Sequence, residues 1–161
     1  KPADCTAKRF DAAVYKTGWH IFCDDDLAPL TPVLVSEPVQ WLVEYRAFVL
    51  EHRVVAWSPY LFCGKLISKL GTERRRPNHE SSDAIKFFQT VLNDKYVKLP
   101  PAFTLDIGLI FGRGWAVVEL NPAWCSGLLE CNPQNVLPVL QRACQRSQDV
   151  PCHDRVWIQS R

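Results

Sequence analysis

The residues with the clearest chemical potential lie between positions 104 and 121, where two β-rich runs flank Gly112-Arg113-Gly114. Strand alternation places Glu119 and Asn121 on one face of the second run, and Asp106 joins them if the hairpin register allows it. Two carboxylates opposite one another in a sheet repel unless a cation neutralises them. Carboxylate and amide oxygens are ligands that Mg²⁺ accepts, with nucleotide phosphates completing its shell. The pattern predicts a magnesium site at Asp106, Glu119 and Asn121; the alternative is a solvated face of unconnected polar residues.

The register of this hairpin decides whether the site can form, and the residues leave it open. A two-residue loop at Gly112-Arg113 would place Asp106 opposite Glu119, whereas a loop at Arg113-Gly114 would place it opposite Asn121. A three-residue loop through 112–114 would pair Asp106 with Leu120 and remove it from the other two side chains. Leu120, with its neighbour Val118, is expected to face the core.

A second pair of charged residues, Glu44 and Arg46, lies two positions apart on a predicted strand and therefore on one face. The planar guanidinium of Arg46 suits a phosphate oxyanion, which would give the pair a nucleotide-binding role. The competing interpretation is an ordinary surface ion pair, and the abundance of exposed charge in proteins favours it when these residues are considered alone. Lys1 and Lys8 form a third and weaker group that could reach a triphosphate, although surface lysines are common.

The elements that must position these residues are hairpins and helices. Alternating residues predict a strand over 41–50, a turn at Glu51-His52 and a return strand over 53–57. The hairpin around Gly112 follows later in the chain, and no βαβ pattern connects the two. The fold class is therefore predicted to be α+β, an antiparallel sheet with flanking helices.

Two helices are predicted after the first hairpin. Ser81-Ser82-Asp83 is a capping sequence for the first helix. The second is expected to begin near Asn135, because Pro138 would be tolerated only in a first turn. Segment 64–80 shows no periodicity and is expected to be a mobile loop.

The composition narrows the class of protein. The chain has 161 residues, 47% of them hydrophobic and 22% charged, which suits one globular domain. A net charge of +2 does not indicate a nucleic-acid partner, and the basic run 74–76 lacks aromatic residues for stacking. No apolar run reaches the ~20 residues that span a membrane. Seven cysteines without a C-x-x-C pair argue against zinc and favour reduced thiols in the cytoplasm.

Six stretches of the chain carry a family resemblance: 1–10, 33–39, 44–49, 58–60, 103–108 and 118–127. The last, Glu-x-Asn-Pro-x-Trp-x-Ser-Gly, is the most specific of them, and the lysine segment is the least specific. Together they resemble the ATP-grasp family, in particular its divergent clade with one arginine and two lysines. That clade includes a eukaryotic cell-division-cycle protein that assists translation-initiation-factor assembly.

The resemblance implies ATP and Mg²⁺ as cofactors and assigns each candidate residue a role. It makes Arg46 the phosphate-binding, catalytic arginine and Glu44 a further nucleotide-site residue. The implied roles of the others are nucleotide-contacting lysines (Lys1, Lys8), an adenine hinge strand (Val35, Ser36, Glu37) and metal ligands (Asp106, Glu119, Asn121).

The implied activity is that of a carboxylate–amine ligase. ATP would phosphorylate a carboxylate to an acylphosphate, which an amine then attacks; the substrates would be small molecules, peptides or proteins. Residues 1–39 would be part of the N-terminal lobe with the adenine hinge, 40–149 the C-terminal lobe with the metal site, and 150–161 a tail. We expect the chain to be the nucleotide-binding part of a larger enzyme without the family's preceding domain, and to bind nucleotide weakly alone.

Two other functions fit the same residues. One is a non-catalytic nucleotide-binding or assembly module on the same scaffold, and the other is a degenerate fragment with an intact fold and no activity. Turnover of ATP with candidate acceptors would separate the ligase from both.

Overall fold

The computed structural model describes residues 13–20, 35–69 and 78–158. The chain divides into two compact units, residues 1–39 and residues 40–161. In the first unit, Gly18–His20 forms a 3-10 turn in which Thr17 Oγ1 lies 2.7 Å from His20 Nδ1. Residues 35–40 have no helix or strand, so the strand expected at Val35, Ser36 and Glu37 is wrong. Among the described residues, no helix is both long and apolar enough to traverse a lipid bilayer.

The second unit is built on a five-stranded sheet with the strand order β3-β2-β1-β4-β5, in which every neighbouring pair is antiparallel. The strands are β1 (Trp41–Leu50), β2 (Arg53–Phe62), β3 (Lys65–Leu66), β4 (Ala102–Ile110) and β5 (Gly114–Pro122). Helix α1 (Asn78–Leu92) precedes β4, and helix α2 (Pro133–Ala143) follows β5. The predicted α+β class, with an antiparallel sheet and flanking helices, is confirmed.

Each face of the sheet has its own apolar core, because successive side chains of a strand project to opposite faces. On one face Tyr45 and Ala47 of β1 pack with Phe88 of α1. On the other face Phe48 of β1 packs with Val136 of α2. All five side chains are fully buried. The even-numbered residues of β1, which include both Glu44 and Arg46, therefore project to the face that carries α2.

The β4–β5 hairpin turns through a three-residue loop, where Ile110 pairs with Gly114. Gly112 in this loop has a φ of 70°, a left-handed conformation that glycine adopts without steric cost. Neither the two-residue loops nor the 112–114 loop considered above occurs. Continued without interruption, this register would pair Asp106 with Val118.

A β-bulge in β5 corrects that register. Ile107 pairs with Val117, but the next residue of β4, Asp106, pairs with Glu119, so β5 has one extra residue at this point. The pairing of Asp106 with Glu119, one of the predicted registers, is therefore present although the loop predicted to produce it is not. The expectation that Leu120 faces the core is wrong, because Leu120 lies on the edge strand and is 43% exposed.

Several predicted boundaries also differ from the structure. β2 continues past Trp57 to Phe62. Segment 64–80 is not simply a loop, since it contains β3, a 3-10 turn at Ile67–Lys69 and the beginning of α1 at Asn78. Helix α1 therefore begins before the predicted cap at 81–83, and the remainder of the expected loop lies outside the described residues.

Helix α2 begins at Pro133, earlier than predicted, and Pro138 lies inside it. Pro133 is the first-turn proline, at a position where the missing N–H has no helical partner to lose. Asn132 caps the helix, because its side-chain oxygen accepts a 3.0 Å hydrogen bond from the Gln134 N–H. The prediction was wrong because it assigned the first-turn role to the second proline.

Replacing Asn132 by alanine is expected to destabilise the protein by about 1 kcal/mol, since the first turn would lose its capping acceptor. The free energy of unfolding in urea measures this change. Asn135→Ala, inside the same helix, is the matched control and should be neutral or stabilising because alanine favours helix. Equal losses in the two variants would contradict the capping role.

Candidate functional site

Arg46, Asp106 and Glu119 form one row across three adjacent strands. Arg46 of β1 pairs with Asp106 of β4, which in turn pairs with Glu119 of β5. Directly opposed residues of antiparallel strands project to the same face of a sheet. Asp106 therefore lies in the same layer as Glu119, the condition on which the predicted site depended.

Arg46 and Asp106 form a bidentate ion pair within this row. Arg46 Nε donates to Asp106 Oδ1 at 2.8 Å, and Arg46 Nη2 donates to Asp106 Oδ2 at 2.6 Å. The side chain of Asp106 is fully buried, and that of Arg46 is 11% exposed. Paired parallel N–H···O bonds are the arrangement in which arginine best compensates a carboxylate. The sequence predicted separate roles for these residues but not this pairing.

Tyr60 organises the next part of the face. Its hydroxyl donates to Glu44 Oε2 at 2.6 Å, and the Arg46 guanidinium lies 5.7 Å from the centre of its ring. That separation is within the range of a cation–π contact. Glu44 is thus held by Tyr60 and Arg46 by Asp106, so the alternative of an exposed Glu44–Arg46 ion pair is wrong. Sequence reasoning missed Tyr60, although it lies in a stretch that carries the family resemblance.

The carboxyl groups of this face repel one another. Burial raises the pKa of Asp106 above its ordinary value; the Arg46 hydrogen bond opposes this shift and the Glu119 charge adds to it. Burial also raises the pKa of Glu44, with the Tyr60 hydrogen bond opposing and the charges of Asp106 and Glu119 adding. The Asp106 hydrogen bond raises the pKa of Arg46, which therefore stays charged. One guanidinium faces three carboxyl groups, and a further cation would relieve their repulsion.

The segment after β5 closes the face from one side. Ser126 Oγ lies 2.8 Å from Thr104 Oγ1 and donates to Pro122 O at 3.0 Å. These bonds bring the Gly127 carbonyl to Arg46, whose Nη1 donates to it at 3.2 Å. The serine and glycine that end the Glu-x-Asn-Pro motif therefore have a physical role in holding Arg46. Only their place in that motif could have indicated this role from sequence.

The same segment is anchored a second time further along. The Ser58 hydroxyl of β2 donates to the Leu129 carbonyl and lies 3.3 Å from Cys131 Sγ. Leu129 and Glu130 have φ angles of 47° and 68°, which are uncommon for residues other than glycine. The tight path of the backbone is held by these contacts, and burial raises the pKa of the Cys131 thiol. Cys131 therefore acts here as a buried polar contact and not as a thiolate.

The remaining predicted site residues are distributed as follows. Asn121 pairs with Thr104, two residues beyond Glu119, so it shares the face of Asp106 and Glu119. Val35, Ser36 and Glu37 are exposed residues of the first unit. Lys1 and Lys8 lie outside the described residues. Within the described ranges, no three His, Cys, Asp or Glu side chains are grouped as a metal site, so the predicted set depends on the amide of Asn121.

Replacing Glu44 by glutamine is expected to stabilise the protein at neutral pH. Because the pKa of Glu44 is raised on folding, the folded state binds its proton more tightly than the unfolded state. The stability of the parent protein relative to Glu44→Gln should thus fall as the pH rises from the ordinary carboxyl pKa of 4.5 through the raised folded value. The expected gain is on the order of 1 kcal/mol near pH 7.

Urea unfolding of both proteins between about pH 4 and pH 8 measures this difference and cancels the titrations they share. Glu51→Gln, at the exposed turn between β1 and β2, is the control and should give a difference that varies little with pH. A Glu44→Gln effect that is equally large at both ends of the range would contradict the proton linkage.

Comparison with known proteins gives one family. The model of an ATP-grasp domain, family 2 of the clade named for one arginine and two lysines, matches residues 1–139, which is most of the chain. No curated protein and no solved structure gives a significant match. The matched region contains the whole sheet, both strands of the Asp106–Glu119 pair and the segment that holds Arg46. The chain belongs to this arginine-and-two-lysine clade of the ATP-grasp domain family.

Proposed function

We propose that this protein is the nucleotide-binding part of an ATP- and Mg²⁺-dependent carboxylate–amine ligase. ATP-grasp membership supports a nucleotide-binding scaffold. The observation that carries the proposal further is the row of Arg46, Asp106 and Glu119 across three strands, in which the bulge of β5 sets two carboxylates opposite one another. A sheet that aligns like charges in this way is stabilised by a bound cation.

The donor set suits Mg²⁺. Asp106 and Glu119 would supply carboxylate oxygens and Asn121 an amide oxygen, all on one face of the β4–β5 hairpin. Hard cations prefer such oxygen ligands, and Mg²⁺ sites commonly combine one or two carboxylates with substrate phosphates. The excess of carboxyl groups over the single guanidinium supports this assignment. Bound Mg²⁺ would neutralise charge on the phosphates during phosphoryl transfer.

Arg46 has two proposed roles. Its ion pair keeps Asp106 ionised, which a buried carboxyl group would otherwise resist. Its bonds to Asp106 and Gly127 use three of the five N–H groups of a guanidinium, and the others are directed to a phosphate oxygen in this proposal. Glu44, held by Tyr60, would complete the polar rim of the nucleotide site.

The remaining roles follow from the family. Lys1 and Lys8 would bind the phosphates, and the backbone at Val35, Ser36 and Glu37 would meet the adenine. A substrate carboxylate would attack the γ-phosphorus of ATP and release ADP. The acylphosphate would then react with an amine, forming the amide and releasing inorganic phosphate. The protein's part would be to position the reactants and stabilise the charge that develops on the transferring group.

Calorimetric titration with ATP and Mg²⁺ tests the proposal. Glu119→Gln should lower the affinity by at least about tenfold, because a charged ligand is lost while the shape of the side chain is kept. Glu51→Gln removes a carboxylate that is 59% exposed at a remote turn, and it should leave the affinity unchanged. Equal affinities in all three proteins, or binding that EDTA does not weaken, would contradict the metal site.

ADP release distinguishes the ligase from a non-catalytic module. The substrates to supply are carboxylate and amine mixtures of small molecules and peptides, in the presence of Mg²⁺. Release that requires both reactants supports the ligase. Tight, magnesium-dependent nucleotide binding without release under any mixture would favour the nucleotide-binding or assembly module.

A further inference from the structure

A cavity of about 430 Å³ lies beside the proposed metal site, within the second unit. It forms where β4 begins and β5 ends, next to the last turn of α2 and the 3-10 turns at Ser147–Asp149 and Cys152–Trp157. Its volume is typical of sites for small molecules. Its walls are largely apolar and aromatic, with Phe103, Leu120, Trp124 and Trp157 among them.

The polar groups of the cavity make it suitable for a positively charged ligand. Asp154, 8% exposed, accepts a hydrogen bond from Arg142 Nη2. Arg142 also donates from Nε to Glu51 Oε1 at 2.8 Å, so one guanidinium is shared between two carboxylates. The indoles of Trp124 and Trp157, 57% and 40% exposed, face the same space. A carboxylate near indole rings is a favourable setting for an ammonium group.

Asn121 links this cavity to the proposed reaction. It lines the cavity and is also one of the three proposed oxygen ligands of Mg²⁺. A molecule in the cavity would therefore have one end beside the place where an acylphosphate would form. The cavity contains two kinds of feature that suit one molecule, an apolar wall for a side chain and a negative group for an amine.

We propose that this cavity binds the amine acceptor, as a primary amine carried on an apolar or aromatic side chain. The assignment rests on the proposed ligase function. In the reaction, the amine nitrogen forms a bond to the acylphosphate carbonyl carbon as the carbon–oxygen bond to phosphate breaks, and phosphate leaves with that electron pair. The two protons lost between ammonium and amide pass to water.

Two matched ligands test the chemistry without any turnover. Phenylalaninamide carries the aromatic side chain and the amine, and 3-phenylpropanamide is the same molecule without the amine. We expect the parent protein to bind phenylalaninamide about fivefold more tightly, the scale of one partly exposed charge interaction. Asp154→Asn, which can still accept from Arg142, should bring this ratio close to one.

Trp124→Ala tests the apolar wall at an exposed position where folding is not at risk. It should weaken the binding of both ligands by roughly tenfold, since a large aromatic contact is lost. Phe111→Ala is the matched control, because Phe111 is 65% exposed on the β4–β5 loop and does not line the cavity. Circular dichroism of every variant checks that the fold is retained.

The outcomes separate the inference from the function on which it rests. If ATP and Mg²⁺ bind as proposed but the two ligands bind equally, or Trp124→Ala and Phe111→Ala behave alike, the acceptor assignment is overturned and the ligase is not. If phenylalaninamide binds selectively but Glu119→Gln leaves ATP affinity unchanged, the proposed function is overturned, and with it the acceptor role.

Discussion

Asp106→Asn is expected to destabilise the protein by about 3 kcal/mol and to abolish magnesium-dependent ATP binding. Arginine does not lose its proton, so the replacement leaves the charge of Arg46, 11% exposed, without its bidentate partner. The asparagine amide would also direct a donor toward a guanidinium donor. Nearby Glu119 and Glu44 offset part of the loss, which places the effect at the low end for a broken buried pair. Guanidinium chloride unfolding measures it.

A double replacement separates the structural and functional consequences. Arg46→Met combined with Asp106→Leu substitutes an apolar pair for the ion pair and should recover most of the lost stability, because removing both charges avoids an uncompensated one. The double variant should still fail to bind ATP with Mg²⁺. A loss below about 1 kcal/mol in Asp106→Asn would contradict the buried pair. ATP binding by the double variant would contradict the proposed roles of both residues.

Gly108→Ala is expected to be nearly as damaging, with a loss of about 3 kcal/mol. Gly108 pairs with Glu44, and the side chain of Trp41 lies across it. An added Cβ would overlap Trp41 Cε3 and approach Cζ3 to 2.7 Å. The indole is rigid, so the clash must be relieved by a rotamer change or by movement of β4. Movement of β4 would disturb the register at Asp106, and the variant should also bind ATP more weakly.

Two controls test this explanation. Gly127→Ala changes a glycine near the site whose added Cβ would be 4.0 Å from Leu129 Cγ, and it should cost little. Combining Gly108→Ala with Trp41→Leu should recover stability relative to Gly108→Ala alone, because the smaller side chain leaves room. If Gly108→Ala and Gly127→Ala have similar unfolding free energies, steric packing against Trp41 is not the reason for the glycine.

Much of the sheet could be predicted from local sequence. Alternation identified β1, and the position of Glu51-His52 between two β-rich runs identified its turn, where both residues adopt positive φ. A glycine inside a strand is itself a signal of close approach, and Gly108 could have been recognised in this way. The helix starts were less accessible, because two prolines compete for one role in α2 and propensity alone does not choose between them.

The chemical types and order of the site residues were determined by the sequence itself: oxygen donors at 106, 119 and 121, and an arginine at 46 on a strand of alternating character. Their convergence was decided by tertiary structure. A bulge in β5 moves Glu119 opposite Asp106, and the pairing of β1 with β4 brings together Arg46 and Asp106, which are 60 residues apart. Local periodicity carries no information about such long-range pairing, because the free energy that selects it comes from burying both faces of the central strand at once.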